Sequence, residues 1–231
     1  MSQAYQKKDF TRPEEYVASP EAATNALRQT FQQEIERRLA DPVQAPALMR
    51  AMHSQSQALE EAYQVWIVDE PAKYNLKMTT AVLAAYRVLQ DLLPREELLA
   101  FLREAFIGPF REMISAGTAR MLDHAPDPFL AMVEVSRAKQ INTFGAGFTF
   151  EYERDDQQAF LVNVTRCFYH NFFVANGAPE LTPIFCDFDA PWVKAIHPAR
   201  HGFRFERPTS IGYGGTMCPF HFSRIAKAGQ P

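Results

Sequence analysis

The sequence predicts an α+β fold, in which an N-terminal helical layer packs on a small antiparallel β-sheet with short helices. Three observations predict it. Apolar residues recur at helical spacing through about the first 140 positions. Near residue 145 the period changes to two: Phe148, Phe150 and Tyr152 face one way, and Thr149, Glu151 and Glu153 the other. Beyond that point the stretches that still read as helices are short. The change of period divides a helical part, 1–144, from an α+β part, 145–231, and the two read as one compact domain.

In the first helix Ser19 is placed as the cap, Pro20 fits the first position, and Glu21 suits the positive end of the dipole. Ala23, Leu27, Phe31, Ile35 and Leu39 form its apolar stripe, and Asp41-Pro42 ends it. A second helix runs from about Ala47 to Trp66. A third begins after Asn75 and carries Val82, Tyr86, Leu89 and Leu93. Pro94 starts a fourth, with Leu98, Leu102 and Phe106 on one face. Pro109 interrupts that run, and a fifth helix follows to about Leu122. Asp127-Pro128 caps and opens a sixth, reaching about Gln140.

The strand at 148–153 is followed by the polar turn Arg154 to Gln158. A partner strand then carries Phe160, Val162 and Val164 on one face and Asn163 and Thr165 on the other, making an antiparallel hairpin. A short helix spans Cys167 to Asn176 and stops at Gly177. Phe203 and Phe205 mark a further strand. Met217 to Phe222 marks a last one, which Pro219 should confine to an edge or a bulge.

Composition narrows the function classes. A chain of 231 residues with 47% hydrophobic content can bury a full core. Its net charge of -3, with no basic run, gives no footprint for nucleic acid or an anionic membrane. No apolar run approaches the length of a bilayer span, and Met1 to Phe10 lacks the apolar centre of a signal peptide. The expected setting is cytoplasmic, with a small-molecule substrate as partner and room for a homo-oligomer. In a reduced compartment the three cysteines should be free thiols.

Those cysteines, Cys167, Cys186 and Cys218, all lie in the last third of the chain. Taken alone, any one reads first as core filler. Together, after 166 positions without a cysteine, they suggest a site. Asp187 and Asp189 flank Cys186 and suit proton transfer or amidinium recognition, although either could cap a helix starting at Ala190-Pro191. Arg166 and Arg207 are candidates for a substrate carboxylate, because a guanidinium grips carboxylate with two parallel bonds; as single residues they read more often as surface charges or ion-pair partners. Gly212-Tyr213-Gly214-Gly215 lacks the lysine and following helix of a phosphate loop and reads as a turn.

Five segments carry a family resemblance. They are Arg166-Cys167-x-Tyr169; Gly177-Ala178-Pro179-Glu180-Leu181; Phe185-Cys186-Asp187-x-Asp189; Phe205-Glu206-Arg207-Pro208-Thr209; and Gly215-x-x-Cys218-x-Phe220-x-Phe222. In order and spacing they resemble the core pattern of the L-2-amino-thiazoline-4-carboxylic acid hydrolase family, over residues 145 to 222. Residues 20 to 140 are similar more loosely, through the helical layout and Ala85-Tyr86-Arg87-Val88-Leu89. One departure is Pro219 with His221 after the last cysteine, where the family more often has an acidic residue.

The resemblance implies a hydrolase that opens the ring of L-2-amino-thiazoline-4-carboxylate to a carbamoyl-cysteine. Such chemistry needs a nucleophile at the C2 carbon, a proton-transfer group and a cation for the carboxylate. Cys186 is the first candidate for nucleophile and Asp189 for proton transfer. Asp187, Cys167 and Cys218 complete the catalytic set. Arg166, Arg207, Tyr169, Glu180 and His170 form the candidate substrate-binding set. No cofactor is expected. Zinc is the rival, but gaps of 19 and 32 residues, without a Cys-x-x-Cys knuckle, are a weak metal signature. Other readings are a hydrolase of a different cyclic amide, lactam or imide, and a non-catalytic protein that binds a small molecule or metal through the same cysteines.

Overall fold

The computed structural model describes residues 20–39 and 43–225. The cap at Ser19, the stop at Asp41-Pro42 and the side chain of Ala23 lie outside what is described. Five long helices come first: α1 (Pro20–Arg38), α2 (Ala45–Ala62), α3 (Glu70–Leu89), α4 (Arg95–His124) and α5 (Pro128–Lys139). A π-helical turn (Gln140–Phe144) and a 3-10 turn (Gly145–Gly147) lead into the hairpin β1 (Thr149–Asp155) and β2 (Ala159–Arg166). Short helices α6 (Phe168–Ala175), α7 (Thr182–Asp187), α8 (Ala190–Lys194) and α9 (Pro198–His201) follow, with strands β3 (Phe203–Glu206) and β4 (Cys218–Arg224) closing the chain. The sheet is antiparallel throughout, in the order β1-β2-β4-β3. The α+β class expected from the sequence is the one observed.

Helix α3 is the centre of the helical layer, buried almost continuously from Met78 to Ala85. It begins at Glu70, six residues before the expected start. Asp69 caps it by accepting from the Ala72 N–H at 2.8 Å, and Pro71 sits in its first turn. Helix α2 stops at Ala62, and the stretch expected to continue it to Trp66 tightens into a 3-10 turn.

Helix α4 corrects the expected break at Pro109: it is one helix of 30 residues with that proline inside. Gly108, immediately before it, has no Cβ to clash with the ring. The buried Ala105, Phe106, Ile107 and Phe110 hold both halves against the core. Helix α5 starts as expected, with Asp127 accepting from the Leu130 N–H at 3.2 Å.

Asp127 also meets Arg224, at the end of β4, at 2.5 Å. Burial pushes its carboxyl up, but Arg224 and the helix N–H groups outweigh that and hold it below the ordinary carboxylate range. Asp127→Ala should cost about 1–2 kcal/mol, read as a lower melting temperature. A depressed folded value gives stability that is present above the carboxylate range and lost as pH falls through it. The two melting temperatures should therefore converge in acid.

One face of the sheet carries the apolar side chains and meets the helices. Phe150, Val164 and Cys218 lie side by side across β1, β2 and β4, as do Val162 and Phe220. Further along, Phe160, Phe222 and Phe203 pack with Trp192, Phe129 and Met132. The other face is polar: the buried Asn163 donates to Glu153 at 2.6 Å, and His221 bonds Asn163 at 3.1 Å. Pro219 lies in an interior strand, against the expectation of an edge. However, β3 ends opposite His221, so at Pro219 strand β4 is paired on its β2 side alone, and no bond of the β3–β4 ladder is lost.

Among the described residues no helix is long and apolar enough to cross a membrane.

Candidate active site

Helices α1, α3 and α4, the α5–β1 turns, the short helices α6 to α8 and the apolar sheet face line a partly open cavity of about 330 Å³. Its wall is mainly aromatic and aliphatic, as a site for a small organic molecule requires. All three cysteines line it, together with Asp189, Arg207 and Tyr169.

Each sulfur is set by a different element. Cys167 sits at the cap position of α6 and Cys186 lies within α7, while Cys218 opens β4. The loop between β3 and β4 reaches two of them. The Ser210 hydroxyl and the Gly212 N–H act on Cys186 to lower its thiol against burial, and Cys218 accepts from the Ile211 N–H at 3.2 Å. A Cβ on Gly212 would stand 2.6 Å from the Cys186 sulfur, so the backbone can come this close only as glycine. Burial pushes every thiol up: Cys167 to about 12, Cys218 to about 11, and Cys186 upward as well. The protonated thiol is the resting form of all three at neutral pH.

Asp189 stands at the cap position of α8, yet its side chain makes no cap bond. Instead Oδ2 meets Arg207 at 2.6 Å, and Oδ1 accepts from the Trp192 indole N–H at 2.8 Å. Arg207 also donates to the Cys186 carbonyl at 3.0 Å and lies over the Phe220 ring. The pair is largely shielded, with side chains 24% and 17% exposed. Tyr169 donates to Asn75 at 3.0 Å, and burial raises its hydroxyl far above the usual phenol range.

The remaining expected residues lie outside the cavity wall. Arg166 donates to the Ala146 carbonyl at 2.6 Å and to Thr149, tying the hairpin to the preceding turn. Asp187 bonds Arg103 at 2.9 Å and Tyr213 at 2.7 Å. Glu180 accepts from Tyr86 at 2.7 Å and meets Arg95 at 2.9 Å, bracing α3 and α4. His170 bonds Thr182 at 3.3 Å, and burial pulls its imidazole down.

Sequence reasoning missed Lys139. It ends α5, lines the cavity and is half-buried. Burial pulls its ammonium down, and the Asp189 carboxylate acts in the opposite sense. A signal was present: Lys139 is seven residues after Met132 and four after Val135, both buried, so the charge falls on the apolar stripe of its helix. The turn after it is held from α3. Asn75 donates to the carbonyls of Thr143 at 3.0 Å and Phe144 at 3.2 Å, and Asp69 accepts from the Ala146 N–H at 2.5 Å. Among the described residues no group of three or more His, Cys, Asp or Glu side chains is placed to hold a metal ion.

No curated protein and no solved structure matches the chain. A family model described as L-2-amino-thiazoline-4-carboxylic acid hydrolase matches residues 74–222, a span that contains all the cysteines, Asp189, Arg207 and Lys139. Because the match covers well over half of its length, the chain belongs to the L-2-amino-thiazoline-4-carboxylic acid hydrolase family.

Proposed function

We propose that this hydrolase opens the ring of a small cyclic amidine in the cavity, with L-2-amino-thiazoline-4-carboxylate as the candidate substrate. The observation that carries the reading is the convergence of three thiols and the Asp189–Arg207 pair on one aromatic-walled space. Cys186 is the nucleophile in this reading. Its sulfur forms a bond to C2, and its proton passes through Asp189 to the ring nitrogen. The C2–ring sulfur bond then breaks and that sulfur takes up a proton, leaving an isothiourea on Cys186. Water attacks the same carbon, a urea forms, and the Cys186 thiol is released. The net change is one water added, giving N-carbamoyl-cysteine. No cofactor enters the scheme.

The upward shift of all three thiols favours a second course, in which water attacks C2 directly with Asp189 as base. The two courses differ in one observable. Rapidly quenched protein should gain the whole mass of one substrate molecule on Cys186 in the first course and nothing in the second. The reading as a whole is tested by incubating the protein with L-2-amino-thiazoline-4-carboxylate and following mass. Enzyme-dependent gain of one water is the expected result; no turnover would move the search to lactams, imides and other cyclic amidines.

A further inference from the structure

We propose that the molecule held in this cavity carries an apolar group about the size of a phenyl ring, joined to its heterocycle. The heterocycle rests on the ring-hydrolase reading; the apolar group rests on the size and the wall of the cavity alone.

An apolar hollow of about 150 Å³ holds one benzene ring. At about 330 Å³ this cavity is about twice as large, with room for two rings. A single five-membered ring with small polar substituents would leave much of an aromatic and aliphatic wall facing water.

The wall is also long. Phe106, Phe110, Met113 and Ile114 line the cavity from one face of α4, a stripe of about 12 Å from first to last. At one end the Phe106 ring meets Phe185 at 4.8 Å and Phe188 at 5.4 Å, so the stripe starts beside the helix that carries Cys186. At the other end Met113 and Ile114 are half-buried, as is Leu27, which lines the cavity from α1. An apolar group lodged against these side chains leaves water and takes part of them out of water with it.

Several polar groups of the wall are already spent within the protein. Asn75 donates to the Thr143 and Phe144 carbonyls and accepts from Tyr169, and Tyr74 donates to Glu70 at 2.6 Å. Asp189 and Arg207 meet each other. A ligand that is polar all round would shed its water for few new partners, whereas an apolar group needs none.

The test is calorimetric titration of the full chain with thiazole and with its three benzyl isomers, aromatic rings that do not undergo the ring opening. The best benzyl isomer should bind wild-type protein at least about tenfold more tightly than thiazole. Met113→Trp and Leu27→Trp each fill part of the space, and at least one of them should cut that gain to about threefold or less. Both sites are half-buried, so the larger ring can turn partly outward; if one variant does not fold, the other decides. A gain kept in every folded variant overturns the proposal. So does a wild type with no gain for any isomer, or with no binding of any of them at millimolar concentration. Turnover is scored separately on 2-amino-thiazoline with and without a benzyl group on the ring. A benzyl gain in binding with neither ring opened sinks the hydrolase reading and leaves the apolar group standing; opening of the unsubstituted ring with no benzyl gain in binding does the reverse.

Discussion

Asp189→Asn should lower kcat/KM for ring opening by a factor on the order of a thousand, the usual weight of a positioned proton-transfer group. Asparagine keeps the size of the side chain but can no longer carry the proton between attacking and leaving atoms. It also cannot satisfy both present donors with two acceptor oxygens. Arg207 bonds Oδ2 and the Trp192 indole bonds Oδ1, and an amide turns a donor towards one of them. Asp189→Ala should in addition cost about 2 kcal/mol of stability, because it leaves the shielded Arg207 guanidinium without its carboxylate. In a chain of this size that is a fall of about 4–8 °C in melting temperature. Steady-state kinetics on the asparagine variant and a thermal melt of the alanine variant read the two effects separately. An asparagine variant with wild-type turnover would remove Asp189 from the chemistry.

Cys186→Ser should abolish the covalent adduct and lower kcat by a factor of up to about a million, as loss of a nucleophile does elsewhere. The fold should be kept, since serine has the shape of cysteine and is slightly smaller. The pH profile carries the sign of the thiol shift. Burial raises the Cys186 thiol, so the proton that passes through Asp189 to the ring nitrogen is still in place well above neutral pH. For the thiol course kcat/KM should therefore not fall through loss of that proton between pH 7 and 8. A serine variant within about tenfold of wild type would instead select direct attack by water.

Much of the fold was legible because local signals and burial agree. Asp127-Pro128 opens α5, Gly177 stops α6 with a positive φ of 68°, and alternation marks both hairpin strands. Where reading failed, tertiary packing overrode a local rule. Pro109 does not break α4, because packing on both sides of it holds the helix, and Pro219 is tolerated in an interior strand, because β3 ends before reaching it. At the site, the cysteines, Asp189, Arg207 and Tyr169 could be picked out by type and motif. Asp187, Arg166, Glu180 and His170 share those motifs, yet they bond to braces and turns behind the wall. Sequence neighbours on a short helix point in different directions, so a motif alone could not separate Asp187 from Asp189. Lys139 was hidden for the opposite reason. A basic residue in a last helical turn is ordinary, and what sets it apart is the cavity it faces.

The space between sheet and helices also makes the protein a reporter of its own ligand. A domain with a hollow in its middle forgoes the contacts that a filled core would make. Any molecule that fills the hollow returns them and adds its binding energy to the folded state alone, about 2.7 kcal/mol at a hundredfold excess over Kd. Melting temperature therefore ranks ligands with no chemistry taking place. A panel of ring carboxylates, lactams and imides, each melted with the protein, would sort them by fit to the space.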